Sequence, residues 1–472
     1  MNDPIELNTI EDMQSVSGTT KVLGYDAAAN KIGFISVNQV KQTTWCGCRW
    51  NMTQATPVGE PVGSLPKIER MIDLFGLGGY IVHNDHSRQK LSPSNHNLYL
   101  TGGTALLDGT HGHYNWGSGV GIYYATWRDG VYEYEAVDTV PIPGQMNYYI
   151  PVFSRSCAGY AAIDRTNLKL VNYINTAAQY RGGNNNAEYD GTWCSLLGKP
   201  ATNIPIATAA TYARKNGNLW FANSRVVFFI TAVLKRIYFH NRSIQQAYNA
   251  TLTADNLHQG GTGQGCDLPF TWSDNGNNPY IPLSVGVDRG DFTGLLSTTM
   301  QNKSGNTVTV GNIPSFAGLK NDYKYLGAIS ENMLLRCNAD KSQSLFINND
   351  IDGSLMNLDS VAGNVQIATG PVAEAAGWQY AKEYTLKNLS FFPGSELGGS
   401  ASTFYGDGYY NPAATDGLRA AYLLGRASNG DVAGSLSLSG SDAVSNAAAH
   451  LGAFLCEWAE AFTTEPIWCM ED

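Results

Sequence analysis

GLRAAYLLGRASNGDVAGSLSLSGSDAVSNAAAHLGAFL, residues 417–455, is the most informative stretch of the chain. Glycine and alanine recur along it, with short polar side chains between them. Because glycine adopts backbone angles that other residues avoid, this composition is typical of a tightly turning backbone. Ser435, Ser437 and Ser439 alternate with Leu436 and Leu438, which predicts a strand with one polar and one apolar face. The stretch has many weak hydrogen-bonding groups and no strong acid–base pair, so it indicates recognition rather than catalysis.

The overall composition is that of a folded protein rich in strands or loops. Its 472 residues suffice for one large core or for about two or three domains. Hydrophobic residues make up 43% of the chain, which is too many for a disordered protein. The charged fraction is only 15%, with 51 glycines and 26 tyrosines, which is typical of exported or virion proteins rather than helical cytosolic enzymes.

Charge and hydropathy argue against two classes of partner. The net charge is −10 and no run of lysines and arginines is present, so we expect no nucleic-acid binding. The longest apolar run, residues 226–234, is far shorter than the roughly 20 residues that cross a bilayer. The start MNDPIELNTIEDMQ has neither the positive nor the apolar region of a secretory signal. We therefore expect no membrane insertion.

The eight cysteines are scattered along the chain. Cys46 and Cys48 form the one close pair, and their spacing matches neither a CxxC sequence nor a zinc knuckle. We interpret the cysteines as buried free thiols. This fits synthesis in a reducing cytoplasm, including that of a host cell making virus particles.

Changes in composition divide the chain into three regions. Within residues 1–60, the segment 20–40 predicts a small β-hairpin that buries too little to fold alone. We expect it to attach to another chain or an assembly rather than to be a simple N-terminal extension of the main domain. Residues 61–140 are rich in glycine and aromatic side chains and predict an antiparallel sheet. The strand signals there are 79–83, 98–101, 119–127 and 131–137. Residues 141–472 combine helical segments with short strands and long loops.

Two helices are predicted early in the third region. Residues 164–181 (DRTNLKLVNYINTAAQYR) place Leu168, Val171, Ile174 and Ala178 at helical spacing. Residues 224–241 (SRVVFFITAVLKRIYFHN) are apolar almost all round, which predicts a helix in the centre of the core. Two helices followed by many short strands make an α+β pattern.

Four strings of residues, in this order, resemble a known group of virion proteins. They are NYYIPVFSRSCAGYAAIDRTNLKLVNYINTAAQYRGG (147–183), IYFHNRSIQQAYNATLT (237–253), HQGGTGQG (258–265) and the stretch 417–455. They are similar to the C-type-lectin-fold structural and receptor-binding proteins of gut bacteriophages. That group is akin to the target proteins of diversity-generating retroelements and to fibre proteins of crAss-like and Bacteroides-type phages. The resemblance covers residues 110–310 and 405–456 well and the remainder loosely.

The resemblance implies an architecture and a set of partners. The fold would be α+β, with a C-type-lectin-like domain of two helices and many short antiparallel strands over residues 141–472. Residues 22–40 resemble the virion-attachment end of such fibres, so the small β-rich region 1–60 would contact other virion proteins. The protein would be a homotrimer on a phage particle, assembled in the cytoplasm of the host bacterium.

The resemblance also implies a ligand-binding face near residues 405–456. Carried over position by position, the display residues are Tyr409, Tyr410, Asn411, Arg426, Ser428, Asn429, Asp431, Ser435, Ser437 and Ser439. Retroelement targets often carry aromatic and asparagine side chains at variable positions, whereas this segment is mostly serine, alanine and leucine. The EPN and QPD sequences of calcium-dependent lectins are absent, so any sugar binding would be independent of calcium.

The tyrosines around the sequence Gly406-Asp407-Gly408 have two interpretations. Tyr405, Tyr409 and Tyr410 could stack on sugar rings, or they could pack within a loop.

Two further patterns have a metal and a non-metal interpretation. His83, His86, His96, His111 and His113 cluster in the sequence, and we favour polar contacts at a surface or between subunits over a metal site. Residues 348–359 imitate an EF-hand loop, but with Asn at the first position and Asp at the last. We interpret them as a turn rich in Asn and Asp. We therefore expect no metal and no cofactor.

An enzyme has little support in the sequence. The chain has no G-x-S-x-G, HExxH or P-loop sequence. Carboxylate pairs could serve a glycosidase, for example Asp288 with Asp291 or Glu374 with Glu383. No recognisable sequence motif surrounds either pair. We therefore expect a virion fibre protein of head or tail, without catalytic residues, that binds host or mucosal glycans non-covalently. The alternatives are a purely structural spacer or decoration protein and, less favoured, a capsule depolymerase.

Overall fold

The computed structural model describes residues 21–26, 31–36, 44–248, 275 and 278–469. The string HQGGTGQG at 258–265 lies outside the described residues. The chain divides into two compact units, Met1–Thr44 and Trp45–Asp472. The sequence-based division placed the first boundary at residue 60, whereas the strand Cys46–Asn51 belongs to a sheet of the larger unit.

The described residues form thirty-one strands and five helices. Strands β1 to β16 are Lys21–Asp26, Lys31–Ser36, Cys46–Asn51, Glu60–Gly63, Gly78–Val82, Arg88–Ser92, Asn95–Tyr99, His113–Gly117, Ile122–Asp129, Tyr132–Asp138, Met146–Ile150, Phe153–Ser156, Ala162–Asp164, Lys169–Val171, Trp220–Ala222 and Gly294–Gln301. Strands β17 to β31 are Thr307–Phe316, Leu319–Lys320, Ala328–Cys337, Gln343–Ile347, Asp350–Ile351, Val365–Thr369, Gly377–Tyr380, Tyr384–Lys387, Ser390–Pro393, Gly408–Asn411, Leu418–Leu423, Leu438–Ser439, Leu455–Trp458, Phe462–Thr463 and Ile467–Trp468. Helices α1 to α5 are Leu65–Glu69, Met71–Leu74, Ile206–Arg214, Arg225–Phe239 and Ile244–Tyr248.

The second unit contains three large sheets. Their strand orders are β31-β11-β9-β10-β3-β4, β15-β29-β12-β8-β5-β6-β7 and β22-β20-β19-β27-β28-β26-β23. Among the described strands, every pair is antiparallel except β26 with β28. The unit is therefore rich in antiparallel strands, with few helices.

The predicted hairpin of the first unit is confirmed. Strands β1 and β2 pair antiparallel, with Lys21 opposite Ser36 and Asp26 opposite Lys31. The strand signals in residues 61–140 are confirmed as well, because β5, β7, β9 and β10 overlap the four predicted segments.

Helix α4 is the predicted central helix. It spans Arg225–Phe239 and is buried from Arg225 to Ile237. It contacts β3 and β10 of the first large sheet, β12 of the second and β19 of the third. The helix is thereby covered by all three sheets, as expected for a helix that is apolar almost all round. Among the described residues, no helix is both long and apolar enough to span a membrane.

The helix predicted at 164–181 is wrong. This segment contains the end of β13, a turn, and β14, which pairs antiparallel with β13. The Asp164 carboxylate accepts hydrogen bonds from the backbone N–H groups of Thr166 and Asn167, at 3.1 and 3.0 Å. Such local bonds compete with helix formation and favour a turn. Leu168, expected to face the core, is 46% exposed and has a φ of 52°.

Candidate functional site

The structure divides the ten display residues into two groups. Five lie near the surface: Ser428, which is exposed, and Tyr410, Arg426, Asn429 and Asp431, which are partly exposed. The other five are buried within the chain: Tyr409, Asn411, Ser435, Ser437 and Ser439. Of the ten predicted display residues, only the first group can therefore contact a ligand at the surface of a single chain.

The predicted polar strand face of residues 435–439 is not exposed. Only Leu438–Ser439 forms a strand, and this strand lies inside the third large sheet between β27 and β26. Serines and leucines of the segment are buried alike, both in this strand and in the turn at 435–436 before it. Gly434 passes so close to the carboxylate of Asp407 that a side chain there would collide with it.

The buried tyrosines have structural partners. The Tyr409 hydroxyl donates a hydrogen bond to Gln343 Oε1 at 2.9 Å, and the Tyr405 hydroxyl donates to Glu133 Oε1 at 2.8 Å. The interpretation that these two tyrosines pack within the chain is therefore confirmed. Of the three tyrosines, only Tyr410 is exposed enough to stack on a sugar ring.

Arg426 and Asn429 shape a turn. The Asn429 side-chain oxygen accepts the backbone N–H of Arg426 at 2.8 Å. The Arg426 guanidinium lies 3.0 Å from the ring nitrogens of His450. Burial and the charge of Arg426 lower the pKa of His450 to about 4, so this ring is neutral at pH 7. These two display residues are thus engaged within the chain.

Tyr410 and Asp431 meet two residues that the sequence-based prediction missed. Tyr410 of β26 lies directly opposite Trp378 of β23, and their ring centroids are 5.5 Å apart in an edge-on arrangement. Tyr380 lies two residues after Trp378 and so shares its face of the sheet. We call Trp378, Tyr380, Tyr410 and Asp431 the edge patch, because β23 is the edge strand of its sheet. All four side chains are partly exposed.

Glycine at position 408 lets the edge patch form. Gly408 lies opposite Tyr380, and a Cβ atom on it would meet the Val432 side chain at 2.5 Å and the Trp378 ring at 2.9 Å. The 3-10 turn Gly430–Val432 therefore packs directly on the sheet. This close approach brings Asp431 to the aromatic side chains.

A tyrosine and a carboxylate interact within the patch. Burial, together with a hydrogen bond to Asp431, raises the pKa of Tyr380 well above its usual value. The Tyr380 hydroxyl is thus a donor toward a carboxylate beside two partly exposed aromatic rings. The alternation Trp378-Gln379-Tyr380 is the sequence signal that could have identified these two residues, because it places both aromatic side chains on one face of a strand.

Four of the five clustered histidines, all but His83, have separate side-chain partners among the described residues. His86 Nδ1 lies 2.9 Å from Glu457 Oε1, His111 Nδ1 lies 2.9 Å from the Tyr99 hydroxyl, and His113 Nε2 lies 3.2 Å from Asn84 Oδ1. His96 is buried between Asp291 and the Tyr114 hydroxyl, and burial lowers its pKa to about 4. In the part of the chain that the structure describes, no three His, Cys, Asp or Glu side chains converge as they would around a metal ion.

The EF-hand-like stretch is a series of turns, as interpreted. Side-chain oxygens of Asn348, Asp352 and Asn357 each accept the backbone N–H two residues further on, at 2.9 to 3.0 Å. These local bonds are those of Asx turns. Of the cysteines that the structure describes, six are buried free thiols: Cys46, Cys48, Cys157, Cys194, Cys337 and Cys456.

The carboxylates named as glycosidase candidates differ in their surroundings. Asp291 is mostly buried and is bound by His96 and by the backbone N–H of Gly79, both at 2.8 Å. Glu374 is exposed, and Glu383 lies 3.1 Å from the guanidinium of Arg128.

No protein-family model matches the chain, and no curated protein is significantly similar to it.

Proposed function

We propose that this chain is a bacteriophage virion fibre protein, of head or tail, that binds host or mucosal glycans through the edge patch. Residues 141–472, within the second unit, would form the C-type-lectin-like domain, and the protein would act as a homotrimer without catalysis. The supporting observation is the group of partly exposed aromatic rings, Trp378 and Tyr410, beside Asp431. Aromatic rings pack on the C–H faces of sugars, and carboxylates accept hydrogen bonds from sugar hydroxyls.

The position of the patch suits this role. Trp378, Tyr380 and Tyr410 lie on paired strands, so their rings are held by a sheet rather than by a loop. Binding at a single patch would be weak, because it offers few contacts. Copies displayed together on a particle would bind with higher avidity.

A double variant tests the proposal. We expect Trp378→Ala with Tyr410→Ala to reduce binding to glycan arrays and host cells at least about tenfold, since both stacking surfaces are lost. The matched control is Tyr123→Ala with Tyr149→Ala, another partly exposed pair of rings on neighbouring strands, 5.1 Å apart. The circular dichroism spectrum and oligomeric state of each variant would verify folding. Equal binding by both double variants would contradict the proposal.

A purely structural spacer is the second candidate. It is favoured by the burial of five of the ten display residues inside the chain. A spacer predicts that the wild-type protein binds no glycan or host cell at any density of immobilised protein.

A further inference from the structure

An open cleft lies beside the hairpin β13–β14, at residues that the proposed function does not use. Its volume is about 540 Å³, which is within the usual range for ligand sites. One wall is the segment 108–110, and the other comprises the hairpin with Tyr173 and Tyr180. We call this space the hairpin cleft.

Two tyrosine rings form its apolar surface. Tyr173 and Tyr180 meet edge to face with centroids 5.8 Å apart. The Tyr173 ring also lies 5.0 Å from the buried His113 ring and over Gly109, where a Cβ atom would come within 2.7 Å of it. Gly109 has a φ of 102°, so both its backbone angle and this close approach require glycine. The ring of Tyr173 is therefore held in place before any ligand arrives.

The carboxylates of the cleft are ionised and held in position. Burial alone would raise the pKa of Asp164, but hydrogen bonds from Asn167, Gln179 and Thr166 outweigh it and lower the pKa. Hydrogen bonds from Thr110 lower the pKa of Asp108. Both groups are thus acceptors at neutral pH.

Three polar groups of the lining are still available. Among the described residues, the hydroxyls of Tyr173 and Tyr180 and the ammonium group of Lys169 have no hydrogen-bond partner. Lys169 lies opposite Asp164 in the hairpin, and burial lowers its pKa. The cleft therefore offers donors, acceptors and aromatic rings together, with two carboxylates and one ammonium group among its lining side chains.

A second cavity adjoins the first. It has a volume of about 450 Å³ and also includes Asp108 in its lining. Within the second cavity, the backbone N–H of Ile174 donates a hydrogen bond to the carbonyl of Leu107 at 2.8 Å. Asp108 is the residue that lines both cavities.

We infer that the hairpin cleft binds a short neutral oligosaccharide. Sugar rings would pack on Tyr173 and Tyr180, and their hydroxyls would bond to Asp108, Lys169 and the two tyrosine hydroxyls. The excess of one negative charge in the lining disfavours sialylated and sulfated sugars. This site stands on its own geometry and is independent of the edge patch.

The test measures binding of neutral trisaccharides to the full chain by saturation-transfer NMR, with maltotriose and chitotriose as probes. Thr110→Arg fills the cleft from an exposed position, and Tyr180→Ala removes one ring. We expect each to weaken binding at least about tenfold. The control Thr307→Arg makes the same change at an exposed threonine of β17 and should bind as the wild type does.

The outcomes separate this site from the edge patch. Loss of trisaccharide binding in Thr110→Arg, with binding retained in the Trp378→Ala, Tyr410→Ala variant, supports the cleft. The inference is overturned if the wild type binds no trisaccharide. It is also overturned if only the Trp378→Ala, Tyr410→Ala variant loses trisaccharide binding, or if Thr307→Arg loses as much binding as Thr110→Arg. Stronger binding of 3′-sialyllactose than of the neutral probes would overturn the inferred ligand class.

Discussion

At the scale of single residues, Asp407 is a carboxylate whose surroundings disfavour its charge. It is 1% exposed, and burial raises its pKa from 3.8 to about 7. The backbone N–H of Leu436 donates to it at 3.0 Å, and the more distant charge of Arg236 also favours ionisation, but burial dominates. Asp407 therefore holds its proton in the folded protein well above the pH at which the unfolded chain releases it.

This shift predicts a loss of stability as pH rises. The folded state binds the Asp407 proton more tightly, so the free energy of unfolding falls between about pH 4 and pH 7 and is level above that. Asp407→Asn removes the titration and should gain stability relative to wild type from pH 4 to pH 8, by up to roughly 4 kcal/mol. Urea unfolding at pH 4 and pH 8 measures the difference. The control Asp359→Asn makes the same change at an exposed carboxylate, and the same profile in both variants would contradict the assignment.

At the scale of elements, helix α4 carries three buried cations into the core. Arg225 donates to the carbonyls of Asn388 and Asn348, at 2.6 and 2.8 Å. Lys235 pairs with Asp322 at 2.7 Å, and Arg236 pairs with Glu135 at 2.8 Å. The acceptors come from segments far apart in sequence, so the helix fixes where those segments lie around it.

Removing one member of a buried pair should be costly. Arg236 and Glu135 are both fully buried, so Arg236→Met leaves an uncompensated carboxylate and should destabilise the protein by about 3–5 kcal/mol. Adding Glu135→Gln to this variant should recover part of the loss, because the unpaired charge is removed. Arg128→Met is the control, since that guanidinium is 53% exposed and should contribute about 1 kcal/mol or less. Thermal unfolding of the four proteins compares them, and equal losses for Arg236 and Arg128 would contradict the burial argument.

The elements also show which features a sequence can predict. Helix α4 and strands β5, β9 and β10 were predictable, because each depends on an apolar pattern within its own segment. The hairpin β13–β14 was not, because the side-chain bonds of Asp164 override the apparent helical spacing. The burial of Ser435 and Ser437 was not predictable either, since it depends on strands that flank the segment only in three dimensions. Trp378 joined the candidate site for the same reason, through its pairing with Tyr410.

At the scale of the whole molecule, the chain divides into two compact units. The described residues of the second unit include four clusters of buried hydrophobic side chains. The first unit contributes the hairpin β1–β2, and an isolated hairpin has little stability of its own. Under the proposed function, the small unit would serve attachment and oligomerisation, and the large unit would bind the ligand.

Deletion of residues 1–43 tests this division of roles. The remaining chain keeps the described hydrophobic clusters, so we expect an unchanged melting temperature and unchanged binding of single glycans in solution. Binding to dense glycan surfaces should fall by about a hundredfold or more, because trimeric avidity would be lost. Fusion of an unrelated trimerisation segment to the truncated chain should restore it. Size-exclusion chromatography with light scattering and surface plasmon resonance give the readouts, and a truncated chain that stays trimeric with full avidity would place oligomerisation in the large unit instead.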